Sequence, residues 1–203
     1  MRYAHDPKAT ISVAEYLRRE RQSPIRHEYY RGELFAMSGG TARHSRIAAN
    51  LIRHLGAAAA GGPCSVYTSD FKVQPTEHSV YHPDVTVVCR DEKPDAVLTT
   101  MPSLVVEVTS RSSYRADHGE KATEYRAAPS LNAYLIVDQN RRRVVAHLRA
   151  PSGEWEVIEA TGDDSITLPC PKCVLSLDQI YEGIELPPLG VAEPELEEQE
   201  ADI

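Results

Sequence analysis

The sequence predicts a mixed α/β fold of the α+β kind, in which one central mixed β-sheet is flanked by helices. Residues 85–89, 104–109 and 133–137 are continuous runs of apolar and β-branched side chains, which are typical of central strands buried on both faces. Residues 41–60 carry apolar side chains at helical spacing. Helices and strands alternate along the chain without an internal repeat, and this order favours helices packed on the faces of a sheet.

The N-terminal elements are marked by caps and turns. A capping box at residues 12–15 begins a short amphipathic helix. Residues 27–38 alternate in polarity and are split by Arg31-Gly32, a pattern typical of a β-hairpin. The helix at 41–60 ends at the Gly-Gly-Pro sequence that follows it.

The remaining elements follow from the same signals. A second capping box, formed by Asp117 and Glu120, predicts a helix that ends before Pro129. Further strands are expected at 65–68, 71–73, 143–148 and 155–160, with a last short helix at 176–183.

Length and composition are those of one soluble domain. With 203 residues, of which 41% are hydrophobic and 26% charged, the chain can bury one sizeable core. No run of about 18 apolar residues is available to cross a membrane, and residues 1–10 lack the apolar stretch of a secretory signal, so a cytoplasmic location is expected. We expect a single domain over residues 1–186 and an acidic, disordered tail over residues 187–203.

The net charge of −8 arises largely at the C-terminal end. Seven acids lie there without a Lys or Arg among them, and the rest of the chain holds 23 acidic against 22 basic residues. Bases concentrate in residues 111–126 and 141–143, and we expect them to form a local basic rim that permits, without requiring, a nucleic-acid substrate. The seven acids are Glu185, Glu193, Glu195, Glu197, Glu198, Glu200 and Asp202.

The four cysteines are expected to be reduced, buried thiols. Cys170 and Cys173 form a C-x-x-C sequence, but structural zinc usually takes two such pairs and the chain has one. Cys64 and Cys89 stand singly in apolar stretches, as small core residues do. Packing is therefore favoured over metal binding or redox chemistry.

Asp84 and Glu107 are the strongest candidates for a functional site. Asp84 follows Pro83 and precedes a buried strand, whereas Glu107 interrupts an otherwise apolar run. An ionised glutamate in a buried strand is costly unless another charge compensates it, and a divalent cation shared by two carboxylates would do so. The alternative is that Glu107 faces solvent on an edge strand and Asp84 is a turn residue.

Lys121 is the third candidate. It follows Glu107 by fourteen residues, in the first turn of a predicted helix, from which its ammonium group could return to the carboxylates. There it would stabilise a phosphate or orient a hydroxide. The alternative is a solvated surface lysine.

Several motifs occur in a set order along the chain. They are Tyr30-Arg31-Gly32-Glu33-Leu34, His44, Pro83-Asp84-Val85, Glu107-Val108-Thr109-Ser110, Asp117, Lys121, Tyr125 and residues 133–138. Together they resemble the Uma-type restriction endonuclease family, a domain of unknown function in the PD-(D/E)XK nuclease superfamily, over roughly residues 10–185.

The resemblance implies a restriction-endonuclease-like fold and a hydrolase that cleaves phosphodiester bonds of nucleic acid, with DNA as the expected substrate. It implies Mg²⁺ or Mn²⁺ as the cofactor, held by Asp84, Glu107 and the backbone carbonyl of Val108. A homodimer is also expected, because nucleases that cut both strands are often dimers.

The resemblance also assigns roles outside the metal ligands. Thr109 stands where the superfamily usually has a lysine, and Lys121 is the implied replacement. Glu33 resembles an additional acidic catalytic residue, and its alternative is an ordinary hairpin glutamate. His44 resembles a histidine at a helix start, which either touches the substrate or caps the helix.

Two other functions stay open. Thr109 favours a nucleic-acid-binding or interaction module that has the fold and has lost cleavage. The acidic tail favours an interaction protein that engages a basic partner. The sequence contains no G-x-S-x-G, which argues against a serine hydrolase.

Overall fold

Five helices and thirteen strands make up the described part of the chain, which in this computed structural model comprises residues 10–110 and 113–186. The helices are α1 (Val13–Glu20), α2 (Ala42–Ala59), α3 (Tyr114–His118), α4 (Glu120–Ala127) and α5 (Leu177–Ile180). The strands are β1 (His27–Tyr30), β2 (Glu33–Ala36), β3 (Ser65–Thr68), β4 (Lys72–Thr76), β5 (Ser79–Tyr81), β6 (Val85–Val88), β7 (Leu98–Thr99), β8 (Leu104–Thr109), β9 (Ala133–Asp138), β10 (Arg143–Arg149), β11 (Trp155–Thr161), β12 (Ser165–Pro169) and β13 (Lys172–Ser176). None of these described helices combines the length and apolar content that a membrane crossing needs. The tail predicted at 187–203 lies outside the described residues.

A six-stranded mixed sheet forms the centre of the fold, in the order β11-β10-β9-β8-β6-β3. β8 and β9 run parallel, and the other neighbours pair antiparallel. α2 packs Ile47, Leu51 and Leu55 into the core on one face, while α4 contributes Ala122 and Tyr125 to the core on the other. Every residue of β6 and β8 is buried. The predicted mixed fold with a helix-flanked central sheet is therefore confirmed.

The sequence did not predict a second sheet, which has five strands. Its order is β2-β1-β5-β4-β7, and it carries the predicted hairpin at one edge. β5 and β7 contain three and two residues, too few to show a period in the sequence. β5 forms a hairpin with β4, but the β1–β5 and β4–β7 pairings join distant parts of the chain, so only the tertiary structure reveals the whole sheet.

The helix start predicted at Asp117 is also wrong. Asp117 lies inside α3, whose N-cap residue is Ser113, and α4 begins after Gly119. A Cβ atom at Gly119 would lie 2.8 Å from the carbonyl oxygen of Arg115, so glycine permits the close approach between the two helices. This junction brings Asp117 and Lys121 to the same cavity.

The β12–β13 hairpin corrects the interpretation of the cysteines. Pro169 pairs with Lys172, which places Cys170 in the turn. The Sγ atoms of Cys64, Cys89 and Cys170 all lie within 4.8 Å of one another. Cys64 and Cys89 are therefore not isolated core residues, since strand pairing and the hairpin bring three distant parts of the chain together. The structure places Cys89 at disulfide distance from Cys64 and from Cys170, which contradicts the prediction of four separate reduced thiols.

Candidate active site

A cleft of about 1030 Å³ opens where the N-terminus of α2 meets β2, the start of β6, the end of β8 and the α3–α4 junction. Its described basic and imidazole side chains are Arg26, His44, His82 and Lys121; Arg26 is paired with Asp70, and burial lowers the pKa of His82. The acids in its wall are Glu28, Asp84, Glu107, Asp117 and Glu120. The wall is therefore acidic, and a phosphodiester would be repelled from it unless a cation were added.

Asp84 and Glu107 meet at neighbouring strand ends. Val85 of β6 pairs with Val106 of the antiparallel β8, so the residues just beyond that pair lie opposite each other. The Oδ2 atom of Asp84 accepts a hydrogen bond of 2.7 Å from the Val108 N–H. Both carboxylates belong to the wall of the same cleft, as the candidate site requires.

Lys121 lies among three carboxylates. Its Nζ atom is 2.8 Å from Oε1 of Glu28, 3.2 Å from Oε1 of Glu107 and 3.6 Å from Oδ1 of Asp117. The Tyr125 hydroxyl donates a further hydrogen bond of 2.9 Å to Oε1 of Glu107. Lys121 is thus a buried ion-pair partner and not a solvated surface lysine.

Burial and charge act together on the titration of this cluster. Burial raises the pKa of Glu107 well above its ordinary value, with Lys121 opposing the rise and the Asp117, Glu28 and Asp84 carboxylates adding to it. Burial alone would lower the pKa of Lys121, but the surrounding carboxylates outweigh it and hold that pKa well above its ordinary value. The surrounding carboxylates thus favour the protonated form of Lys121.

His44 lines the cleft beside Asp84. Its Nε2 atom lies 3.3 Å from Oδ2 of Asp84. The hydrogen bond to Asp84 raises the pKa of the imidazole; burial opposes this, and the backbone of Val108 adds to it. The hydroxyl of Thr41 caps α2 by accepting a hydrogen bond of 3.1 Å from the backbone N–H of His44. Thr41 therefore serves as the cap, and the imidazole of His44 is available to contact the Asp84 carboxylate.

Gly40 leaves room for the His44 ring. A Cβ atom at this position would lie 2.8 Å from Nδ1 and 3.0 Å from Cγ of His44. Such distances are shorter than van der Waals contact, so the absence of a side chain allows the imidazole to reach Asp84.

The donors in the cleft suit a hard divalent cation. Carboxylate oxygens and a backbone carbonyl are the ligands that Mg²⁺ takes. Oδ1 of Asp117 is buried and accepts no hydrogen bond from the described residues, although buried acceptors normally have a partner. Lys121 and Tyr125 already compensate Glu107, so its burial alone does not demand a metal. The excess of carboxylates over cations is the stronger argument.

Comparison with known proteins identifies the family. The chain matches the family described as "Uma2: Putative restriction endonuclease" over residues 13–178. The chain belongs to the Uma2 family. Two Synechocystis relatives of this Uma2 protein are both named as uncharacterized proteins. The first, slr1290, is 34% identical over 191 residues, which cover 89% of this chain and 98% of the slr1290 chain. The second, sll1609, is 31% identical over 159 residues, covering 76% of this chain and 90% of its own.

The Uma2 chain also shares its fold with a solved structure. A crystal structure described as a putative nuclease belonging to DUF820, from Anabaena variabilis, superposes with a TM-score of 0.66 and covers 84% of this chain and 97% of its own. Sequence identity is 15%, so this likeness shows the fold alone, which is the predicted restriction-endonuclease-like α+β fold. Family and fold together support a nuclease.

The lysine of this Uma2 protein reaches the carboxylates from a helix. Thr109 is buried, and its hydroxyl lies 3.2 Å from the Ser113 hydroxyl and 3.3 Å from the Ser110 carbonyl oxygen. An ammonium group nevertheless lies beside Glu107, because α4 supplies Lys121. The geometry therefore agrees with the replacement that the resemblance implied.

The sequence predicted Glu33 of the Uma2 chain as a site residue and did not predict Glu28. Glu33 lies on β2 opposite Tyr30 and is not part of the cleft wall. Glu28, on β1, is the hairpin carboxylate that reaches Lys121. Alternation along the hairpin separates its two faces but does not tell which face the rest of the protein will cover.

Of the bases predicted to form a rim, Lys121 lies in the cleft wall and Arg111 lies outside the described residues. None of residues 141–143 lines the cleft. Arg142 pairs with Asp178, and Arg143 lies 2.8 Å from Glu159. Acids on α5 and β11 therefore share the charge of these two arginines, and the basic rim stays a prediction.

Proposed function

We propose that this protein is a metal-dependent endonuclease that hydrolyses phosphodiester bonds of DNA, with Mg²⁺ or Mn²⁺ held by Asp84, Glu107 and the Val108 carbonyl. One observation carries the proposal: two carboxylates lie opposite each other at paired strand ends, with the Lys121 ammonium group 3.2 Å from one of them. The acidic wall supports it, since a bound cation would turn a repulsive cleft into one that accepts a phosphate.

The cation, when bound, lowers the pKa of its water and offsets the negative charge of the phosphate. Lys121 is placed to orient that water or to stabilise the departing oxygen. His44 and the N-terminus of α2 also line the cleft, next to Asp84. A protonated imidazole and the positive end of a helix dipole attract anionic oxygen, so this part of the wall would hold the non-bridging oxygens of the phosphate.

The proposal is tested by nicking of supercoiled DNA with Mn²⁺ or Mg²⁺, and with EDTA in a parallel reaction. We expect nicking by the wild type that EDTA abolishes, and a loss of about 100-fold or more in Asp84→Asn, since a ligand carboxylate is removed. Asp95→Asn makes the same chemical change at an exposed turn and should leave the rate unchanged. Equal rates in the wild type and Asp84→Asn would overturn the proposal.

Parallel substrates and products sharpen the same assay. Single-stranded DNA and RNA separate the claim of DNA cleavage from that of nuclease activity. Linear product formed without a preceding nick would support the homodimer, because both strands must then be cut within one encounter.

The position of His44 allows a second prediction. Gly40→Ala should lower the cleavage rate by about 10-fold to 100-fold, because the new methyl group displaces the imidazole and small displacements in a site have effects of this size. Gly39→Ala is the matched control, since a Cβ there has no neighbour within 4 Å. Thermal unfolding should detect no loss of stability in either variant. Equal cleavage rates in the two variants would remove His44 from the mechanism.

A second candidate function is a nucleic-acid-binding module that has lost cleavage. The three carboxylates around Lys121 favour it, because they restrain the ammonium group that catalysis would use. This candidate predicts DNA binding, by mobility shift, that is equal in the wild type and Asp84→Asn, with no nicking by either protein.

A further inference from the structure

The four cysteines have no part in the proposed nuclease function, yet the fold gathers three of them. Cys64 directly precedes β3, and Cys89 directly follows β6. Because Ser65 pairs with Val88, these two cysteines lie opposite each other on antiparallel neighbours. Cys170 joins them from the turn of the β12–β13 hairpin.

The three sulfur atoms form one cluster. All lie within 4.8 Å of one another, and the Sγ atoms of Cys64 and Cys170 are 3.6 Å apart. The structure places the Sγ atom of Cys89 at disulfide distance from both of the others. A sulfur atom has one partner in a disulfide, so these contacts cannot both be disulfides. One cation, in contrast, can accept all three thiolates.

Cys173 is not among the three clustered sulfur atoms, but it is the nearest cysteine along the chain to Cys170 and a candidate fourth ligand. It lies three residues after Cys170, in the same hairpin, and packs against the same apolar cluster as Cys64 and Cys89. The C-x-x-C spacing is that of a zinc knuckle, and here the cross-strand pair takes the place of the second knuckle. This pairing of strands is what the sequence alone could not reveal.

The cluster is separate from the acidic cleft. Asp84 precedes β6 and Cys89 follows it, so the two sites lie at opposite ends of this strand. Five residues of extended chain span about 16 Å. None of the four cysteines belongs to the cleft wall. A cation at the sulfur atoms would therefore be structural.

We propose that Cys64, Cys89, Cys170 and Cys173 bind one Zn²⁺ ion, which fastens the β12–β13 hairpin to the edge of the six-stranded sheet. Thiolates are the soft ligands that zinc prefers, and four of them close its tetrahedral shell. Each thiol releases its proton to solvent on binding, so zinc affinity should fall as the pH is lowered.

The test measures zinc in the full chain, purified under reducing conditions. We expect about one Zn²⁺ per chain by elemental analysis and four thiols that react with a thiol reagent only after a strong chelator is added. Replacement by Co²⁺ should give the absorption bands of tetrahedral thiolate coordination. These measurements on the wild type do not depend on whether a variant folds.

Variants identify the ligands. Cys170→Ser should lose stoichiometric zinc and the Co²⁺ bands, and Cys173→Ser should weaken zinc binding at least about 10-fold. Asp84→Asn should retain the zinc, because it alters the acidic cleft alone. Three outcomes would each overturn the proposal. The first is a chain without zinc whose four thiols react freely, and the second is a disulfide among these cysteines after reduction and zinc loading. The third is loss of zinc in Asp84→Asn. None of these outcomes depends on nuclease activity.

Discussion

Glu107→Gln is expected to abolish cleavage while leaving the folded protein at least as stable as the wild type. The amide removes a negative charge from the candidate metal site, where cation stabilisation of the transition state amounts to several kcal/mol, so the rate should fall about 1000-fold or more. The amide oxygen can still accept the hydrogen bond from the Tyr125 hydroxyl. A neutral side chain has no charge to desolvate, and Lys121 keeps Glu28 and Asp117 as partners.

Initial cleavage rates at saturating Mn²⁺ measure the predicted loss of activity in Glu107→Gln, and thermal unfolding in EDTA measures its stability. Mn²⁺ should raise the melting temperature of the wild type but not that of the variant, because only the wild type binds the cation in its folded state. Glu156→Gln, on the exposed side of β11, controls for the chemical change. Undiminished cleavage in Glu107→Gln would remove the metal site from the mechanism.

Lys121→Met is expected to lower both stability and activity. It removes the cation shared by Glu28, Glu107 and Asp117 and leaves the buried carboxylates of Glu107 and Asp117 without a neighbouring positive charge, which should reduce the free energy of unfolding by about 3 kcal/mol in EDTA. Cleavage should fall about 100-fold or more, because a positive charge near the phosphate is lost. Mn²⁺ should restore part of the stability, since it compensates the same carboxylates, but it should not restore cleavage.

Denaturant unfolding with and without Mn²⁺, together with the nicking assay, checks this second prediction. Lys93→Met, at an exposed loop position, is the matched control. Lys121→Arg keeps the charge and should unfold closer to the wild type, yet its planar guanidinium cannot occupy the same point, so its cleavage should stay low. Wild-type stability and cleavage in Lys121→Met would make the lysine a bystander.

The sequence predicted the parts of the fold whose signals are local. α2 and the β1–β2 hairpin have the predicted limits to within two residues. The buried strands β6, β8 and β9 are also where their apolar runs placed them. The helix start near Asp117 was misplaced, because a capping-box pattern does not reveal that a second short helix already occupies the preceding residues.

Sequence by itself determined which chemical groups the protein carries and which of them interrupt buried strands, and this was enough to select Asp84, Glu107 and Lys121. Only the tertiary structure decided which groups meet: Glu28 reaches Lys121 across 93 residues, and Cys170 joins a pair whose members lie 25 residues apart. The physical reason is that helical and strand periods describe a few neighbouring residues, whereas strand pairing and packing fix contacts between distant ones.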